Sequence, residues 1–217
     1  MQTIGLLGGT FNPIHFGHLR MAQELAESLS LNEVRFIPSA NPPHKASPQV
    51  SAENRANMVK LAIAGNPGFV FDGRELTRTG ASYTVDTLES LREDLGTEVS
   101  LTLLMGSDAF MQFNTWHRWQ DIIKLCHIGL VQRPAASPKA TIAKELETFL
   151  HNHYTENAHD LHENSAGLIT MQAVTPLDIS STAIRNALQS KHSARYLMPE
   201  CVIEYITAKQ LYKAPSA

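Results

Sequence analysis

Short apolar runs alternate along this chain with stretches in which apolar residues recur every three or four positions. The runs Ile4 to Leu7, Val34 to Ile37, Phe69 to Phe71, Leu101 to Met105, Ile128 to Val131 and Leu168 to Met171 have the length and bounding residues of buried strands. Between them, Leu19, Ala22, Leu25, Ala26 and Leu29 mark one face of a helix from Gly17 to Ser28. A second helix follows Ser51 and runs through Ala64, and a third follows Thr84 with Val85, Leu88, Leu91 and Leu95 on its apolar face. A surface helix is predicted from Thr141 to Leu150, after a loop over Ala136 to Lys139, and a polar, irregular stretch from His151 to Gly167. Two helices, from Ser180 to Leu188 and from Glu200 to Leu211, close the chain. Strands alternating with crossover helices predict an α/β fold built on a doubly wound parallel sheet. One domain is expected over 1–217, with the sheet in 1–178 and a small helical C-terminal part in 179–217.

Composition narrows the class. With 43% hydrophobic and 18% charged residues among 217, the chain suits a soluble globular domain with a substantial core. A formal net charge of −3 supplies no broad basic field, so no nucleic-acid partner is indicated. The only cysteines, Cys126 and Cys201, have neither the number for a disulfide framework nor the paired spacing of a zinc site. No apolar run approaches the roughly 18 residues that span a bilayer. Met1 to Leu7 also lacks the basic start of a signal peptide. A soluble, cytoplasmic protein with no membrane partner is expected, and a homo-oligomer is compatible with the composition.

The candidate chemistry lies at two loop-to-helix junctions. Gly8 and Gly9 end the first strand and let the backbone approach a ligand, and the helix that follows presents unpaired N–H groups and a partial positive charge to an anion. His15 and His18, three apart, can point to one side and donate to phosphate oxygens. A zinc reading would need a third ligand, and no residue nearby has the spacing. The loop is neither a Walker A motif nor a dinucleotide fingerprint. Near the C-terminus, Ser180 or Ser181 can cap a helix whose first turn could hold an anion, with Arg185 close enough to reach the same phosphates.

Here a resemblance becomes specific. His15-Phe16-Gly17-His18 resembles the H-x-G-H motif of the nucleotidylyltransferase superfamily, whose histidines contact the ATP phosphates, and Gly8-Gly9-Thr10-Phe11-Asn12-Pro13 resembles the segment before it, with Asn12 where aspartate is frequent. Ile179-Ser180-Ser181-Thr182-Ala183-Ile184-Arg185 resembles that superfamily's second motif. The resemblance implies a Rossmann-like fold with catalytic roles for His15, His18 and Arg185. The ATP site would add Gly8, Gly9, Thr10, Phe11, Ile179, Ser180, Ser181 and Thr182. Pro42-Pro43-His44-Lys45, Ser82 to Leu88, Gly106-Ser107-Asp108, Trp116, Arg133-Pro134 and Tyr196 to Glu200 are similar to segments of bacterial nicotinate-nucleotide adenylyltransferases. The similarity runs from about Ile4 to Tyr212. It implies that Trp116 stacks on a pyridine ring and that Tyr83 and Thr84 engage its carboxylate. His44, Lys45, Asp108 and Arg133 would take the rest of the mononucleotide.

Each of these residues also has a plainer role open to it. Trp116 and Trp119 could form the apolar side of a helix, Lys45 could be a solvated charge, and Asp108 and Thr84 could cap helices. His151, His153, His159 and His162 read as a surface segment rather than a metal site. The resemblance implies ATP and nicotinate mononucleotide as substrates, with Mg²⁺ held by the ATP phosphates and water and no protein ligand for it. A phosphate oxygen attacking the α-phosphorus needs no covalent enzyme nucleophile, so positioning and charge neutralisation would carry the rate. Nicotinamide mononucleotide or phosphopantetheine remain alternative acceptors. A nucleotide-binding regulator without turnover is the alternative from another class.

Overall fold

The computed structural model describes residues 1–42, 48, 50–132 and 142–213. Six strands follow in chain order: β1 (Gln2–Gly9), β2 (Glu33–Pro38), β3 (Phe69–Phe71), β4 (Val99–Gly106), β5 (His127–Gln132) and β6 (Ile169–Ala173). They form a parallel sheet in the order β3-β2-β1-β4-β5-β6, the doubly wound arrangement expected. Leu6 lies opposite Leu103, and Leu103 opposite Ile128. The order reverses between β1 and β4, and ligands of such sheets bind beyond the carboxyl ends of the strands at that reversal. Gly8-Gly9 and Gly106 are those ends.

The helices are α1 (Phe16–Ser28), α2 (Ala52–Ile63), α3 (Thr84–Leu95), α4 (Ser107–Phe110), α5 (Trp119–Leu125), α6 (Lys144–His153), α7 (Asp160–Glu163), α8 (Ser181–Gln189) and α9 (Glu200–Ala208). Short 3₁₀ turns at Arg74–Thr77 and Phe113–Thr115 complete the described elements. The chain divides into two compact units.

The first unit comprises 1–8, 21–35 and 83–176. β4 is buried along seven of its eight residues, as a central parallel strand should be, and Ile4, Leu101, Ile128 and Ile169 fill the core beside it. Gly5 packs closely there: a Cβ would come within 2.7 Å of the Leu31 side chain, which would have to shift. Arg92 of α3 donates to the carbonyls of Leu125, Gly96, Val99 and Ser165, which joins α3, α5 and the start of β4. The polar stretch from His151 to Gly167, expected to be irregular, contains the last turn of α6 and the short helix α7. Its histidines are anchors: His153 Nδ1 meets the Gly167 carbonyl and His162 Nε2 the Leu29 carbonyl, both at 2.8 Å. Cys126 and His127 are fully buried at the start of β5. The Leu168 N–H donates to His127 Nδ1 at 3.1 Å, so His127 Nε2 carries the proton and donates to the Asn164 carbonyl at 2.8 Å.

The second unit comprises 9–20, 36–82 and 177–217. Ser51 caps α2 through its side chain, as the sequence indicates. α2 packs on α9, where Tyr205 donates its hydroxyl to Asn54 Oδ1 at 2.8 Å and accepts from Asn57 Nδ2 at 3.0 Å. The C-terminal helices thus share a unit with the loop that follows β1, although most of the chain lies between them in sequence.

Candidate active site

In the second unit, Gly9 to His18 forms a loop that turns into α1. Phe11 adopts a positive φ of 46° and is buried, with its ring against Gly9, edge-on to His18 at 5.2 Å and 6.0 Å from Phe36. His15 is 6% exposed, and its ring lies 3.8 Å from that of His18. The His15 backbone N–H donates to His18 Nδ1 at 3.3 Å. The neutral form of His18 therefore keeps its proton on Nε2, the tautomer needed to donate to a phosphate oxygen. A Cβ at Gly17 would sit 3.0 Å from the His15 ring and 3.5 Å from the Ile179 carbonyl, so a side chain there would press on the His15 ring.

The second motif packs directly against this loop. Ser180 is the N-cap of α8 and accepts from the Ala183 N–H at 3.1 Å, which settles which serine caps. Ser181 instead donates to the Pro13 carbonyl at 2.9 Å. Arg185 donates from Nη1 to the Asn12 carbonyl at 2.8 Å and from Nη2 to Thr182 Oγ1 at 3.2 Å. Tyr212 donates its hydroxyl to Asn12 Oδ1 at 2.7 Å, and burial raises the tyrosine's pKa. α8 has no acidic residue in its first turn. With the carbonyls of Asn12 and Pro13 held from behind, the loop and the start of α8 form a pair of N–H-rich surfaces suited to phosphate.

In the first unit, α3 begins at Thr84, and Tyr83 occupies the N-cap with no side-chain hydrogen bond to the helix. Thr84 is thus the first helical residue, not the cap, because the chain enters α3 one residue earlier than its hydroxyl suggests. The open helix end leaves donors for a carboxylate. Trp116 is half-buried, its ring 5.5 Å from that of Phe113. Trp119 has the apolar role, packed between Phe113 and Phe149 at 5.8 and 4.9 Å. His117 stacks on Tyr83 with ring centres 4.4 Å apart, and Arg118 pairs with Glu89 of α3 at 2.9 Å. These two contacts set the residues that follow Trp116 against Tyr83 and α3. Asp108 is exposed in α4 beyond the end of β4, and Gly106, not Asp108, holds the N-cap there. His44, Lys45 and Arg133 lie outside the described residues.

Two residues were not singled out by sequence: His117 in the first unit and Arg55 in the second. The Ser107 hydroxyl is buried where α4 begins, with no hydrogen-bond partner among the described residues. His117 could have been found from its place next to Trp116. A charged residue amid the apolar positions of α2 was the available signal for Arg55.

Comparison with known proteins agrees with this geometry. Residues 6–187 match the cytidylyltransferase-like family. A Pseudomonas fluorescens protein named "Probable nicotinate-nucleotide adenylyltransferase" is 47% identical, covering 99% of each chain. A Halorhodospira halophila protein of the same name is 44% identical, covering 99% of this chain and 97% of its own. Among solved structures, a Plasmodium falciparum nicotinic acid mononucleotide adenylyltransferase complexed with NaAD superposes with a TM-score of 0.74 over 98% of both chains, at 16% identity. The fold is the same despite that low identity, and the full-length likeness to the bacterial proteins shows that this chain belongs to the nicotinate-nucleotide adenylyltransferase family.

Proposed function

We propose that the chain transfers the adenylyl group of ATP to nicotinate mononucleotide, giving nicotinate adenine dinucleotide and pyrophosphate. A phosphate oxygen of the mononucleotide attacks the α-phosphorus in line, and the bond to the bridging oxygen of the pyrophosphate breaks. The acceptor is already an anion, so no general base is required. His15, His18 and Arg185 hold the triphosphate and offset the charge that moves onto the leaving group. Gly8, Gly9, Thr10 and Phe11 give the backbone its approach, and Ile179 to Thr182 supply the second cradle. The observation that carries the reading is the pair of hydrogen bonds from Ser181 and Arg185 to the Pro13 and Asn12 carbonyls, which unite two motifs distant in sequence.

On the acceptor side, Trp116 takes the pyridine ring, while Tyr83 and Thr84 at the open end of α3 take the carboxylate. Asp108, His44, Lys45 and Arg133 serve the rest of the mononucleotide. Among the described residues, no group of three His, Cys, Asp or Glu side chains could hold a metal ion. The donors around the phosphate loop suit anions rather than a cation. Mg²⁺ fits this site through phosphate oxygens and water, where it would supply charge neutralisation across the triphosphate. No described helix is long and apolar enough to cross a membrane. A cytoplasmic place follows from the proposed use of ATP.

The test is pyrophosphate release from ATP with nicotinate mononucleotide, nicotinamide mononucleotide and phosphopantetheine as acceptors. Fastest release with nicotinate mononucleotide is the expected result. Binding of ATP without release for any acceptor would make the chain a nucleotide-binding regulator instead.

A further inference from the structure

Arg55 lies on α2 and is 1% exposed, among the largest fully buried side chains of the chain. A buried guanidinium normally meets a carboxylate. Among the described residues Arg55 does not: its two acceptors there are backbone carbonyls, Thr10 at 2.6 Å from Nη1 and Ala40 at 3.2 Å from Nη2. Its Nε is buried with no hydrogen-bond partner among the described residues. Burial lowers its pKa, with the charge of Tyr212 opposing.

The two carbonyls belong to different segments. Thr10 is in the phosphate loop. Ala40 precedes Asn41, whose side-chain Nδ2 donates to the Gly80 carbonyl at 3.0 Å and whose backbone N–H donates to Ser82 Oγ at 3.2 Å. The Ser82 N–H returns a bond to the Asn41 carbonyl at 3.0 Å. Ser82 leads in sequence into Tyr83 and Thr84, and Pro42 leads towards His44 and Lys45. The Arg55 fork therefore ties the donor loop to Ala40, and the neighbouring Asn41 carries the tie on to Gly80 and Ser82.

We propose that Arg55 is a positioning residue that holds the nucleotide loop and the acceptor-side segments in one binding-competent arrangement, so that ATP and mononucleotide affinities rise and fall together. Loss of the fork lets both segments leave that arrangement, and the Kd of each ligand is then divided by the same competent fraction, so both rise by the same factor. When both ligands are saturating, the arrangement is restored, so turnover is spared. This signature separates positioning from a purely structural role, which would lower the folded fraction and hence kcat without raising either KM.

The inference rests on the proposed adenylyl transfer, so wild-type turnover of ATP with nicotinate mononucleotide is measured first. Its absence would overturn that reading, and the inference would then be decided by amide exchange and by binding of a non-hydrolysable ATP analogue. Arg55→Lys retains the charge but cannot span both carbonyls. The expected result is a paired rise of about tenfold in KM for both substrates, with kcat within about threefold of wild type; tenfold is about 1.4 kcal/mol. Amide exchange at Phe11, Asn41 and Ser82 should quicken together, and the ATP analogue should bind about tenfold more weakly. Arg55→Met should give a larger, still paired rise, and it can be judged by exchange alone if it folds poorly. Three results overturn the inference: wild-type constants in folded Arg55→Lys, a rise confined to ATP, or a loss of kcat with both KM values unchanged.

Discussion

At the scale of single residues, the two histidines of the phosphate loop are not equivalent. His15 is buried beneath the loop, whereas His18 is half-exposed and held in one tautomer by the His15 N–H. His18→Ala should therefore lower kcat by on the order of 10²–10³, the usual loss of one preorganised donor, with little change in mononucleotide affinity. Wild-type turnover in a folded variant would remove His18 from the machinery. Arg185 spends two donors on Asn12 and Thr182 and has further N–H groups for phosphate. A lysine cannot do both, so Arg185→Lys should reduce kcat/KM for ATP by at least about tenfold, the weight of one charge-assisted bond. Unchanged steady-state constants would show that the fork is not used. Which residues matter was largely legible here, because H-x-G-H and the Ser-Ser-Thr segment are local patterns. Where their partners lie was not: the acceptors of Arg55, Arg92, Ser181 and Arg185 are backbone carbonyls, and every residue type supplies one.

At the scale of elements, strands and long helices follow the apolar periods, and the departures have local causes. α5 has only seven residues, too few for a helical period to stand out beside the two tryptophans. The last turn of α6 and the whole of α7 were hidden by polarity, since their histidines bond to carbonyls instead of presenting an apolar stripe. The start of α3 shifts by one residue, and this matters for specificity because the helix end has no side-chain cap. A carboxylate accepts from such an end with both oxygens, whereas a carboxamide turns an NH₂ donor towards donors. The expected preference for nicotinate over nicotinamide mononucleotide is at least about tenfold in kcat/KM, since one mismatched buried polar pair costs about 1–3 kcal/mol. Equal kcat/KM for both, at saturating ATP and Mg²⁺, would dismiss α3 as the reader of the acid. α8 does carry a side-chain cap, and Ser180→Ala should cost about 1 kcal/mol, or ~2–4 °C in Tm by calorimetry, with weaker ATP binding.

At the scale of the whole molecule, the response to acid centres on His127. Burial is the largest influence lowering its pKa in the folded chain, with the Asn164 hydrogen bond opposing and the charges of Arg92 and His162 assisting. The unfolded chain then binds the extra proton first, so stability is fully present above the ordinary histidine value of about 6.5 and falls as the pH drops through and below it. Protonation would also set an N–H at Nδ1 against the Leu168 N–H. Urea midpoints between pH 5 and 8 should decline towards acid, and His127→Asn, which keeps an acceptor but cannot charge, should flatten that slope. An equal slope in the variant would assign the acid sensitivity elsewhere. The bonds onto Asn12 and Pro13 have a consequence of a different kind. A chain emerging from the ribosome displays Gly9 to His18 first, and Ser181, Arg185 and Tyr212 follow 168 to 200 residues behind their partners. Until they arrive, nothing from that end of the chain turns those carbonyls aside, and the early loop is a nucleotide site in sequence only. Capture of ATP is thus an ability this protein gains only after that distant partner segment has been made.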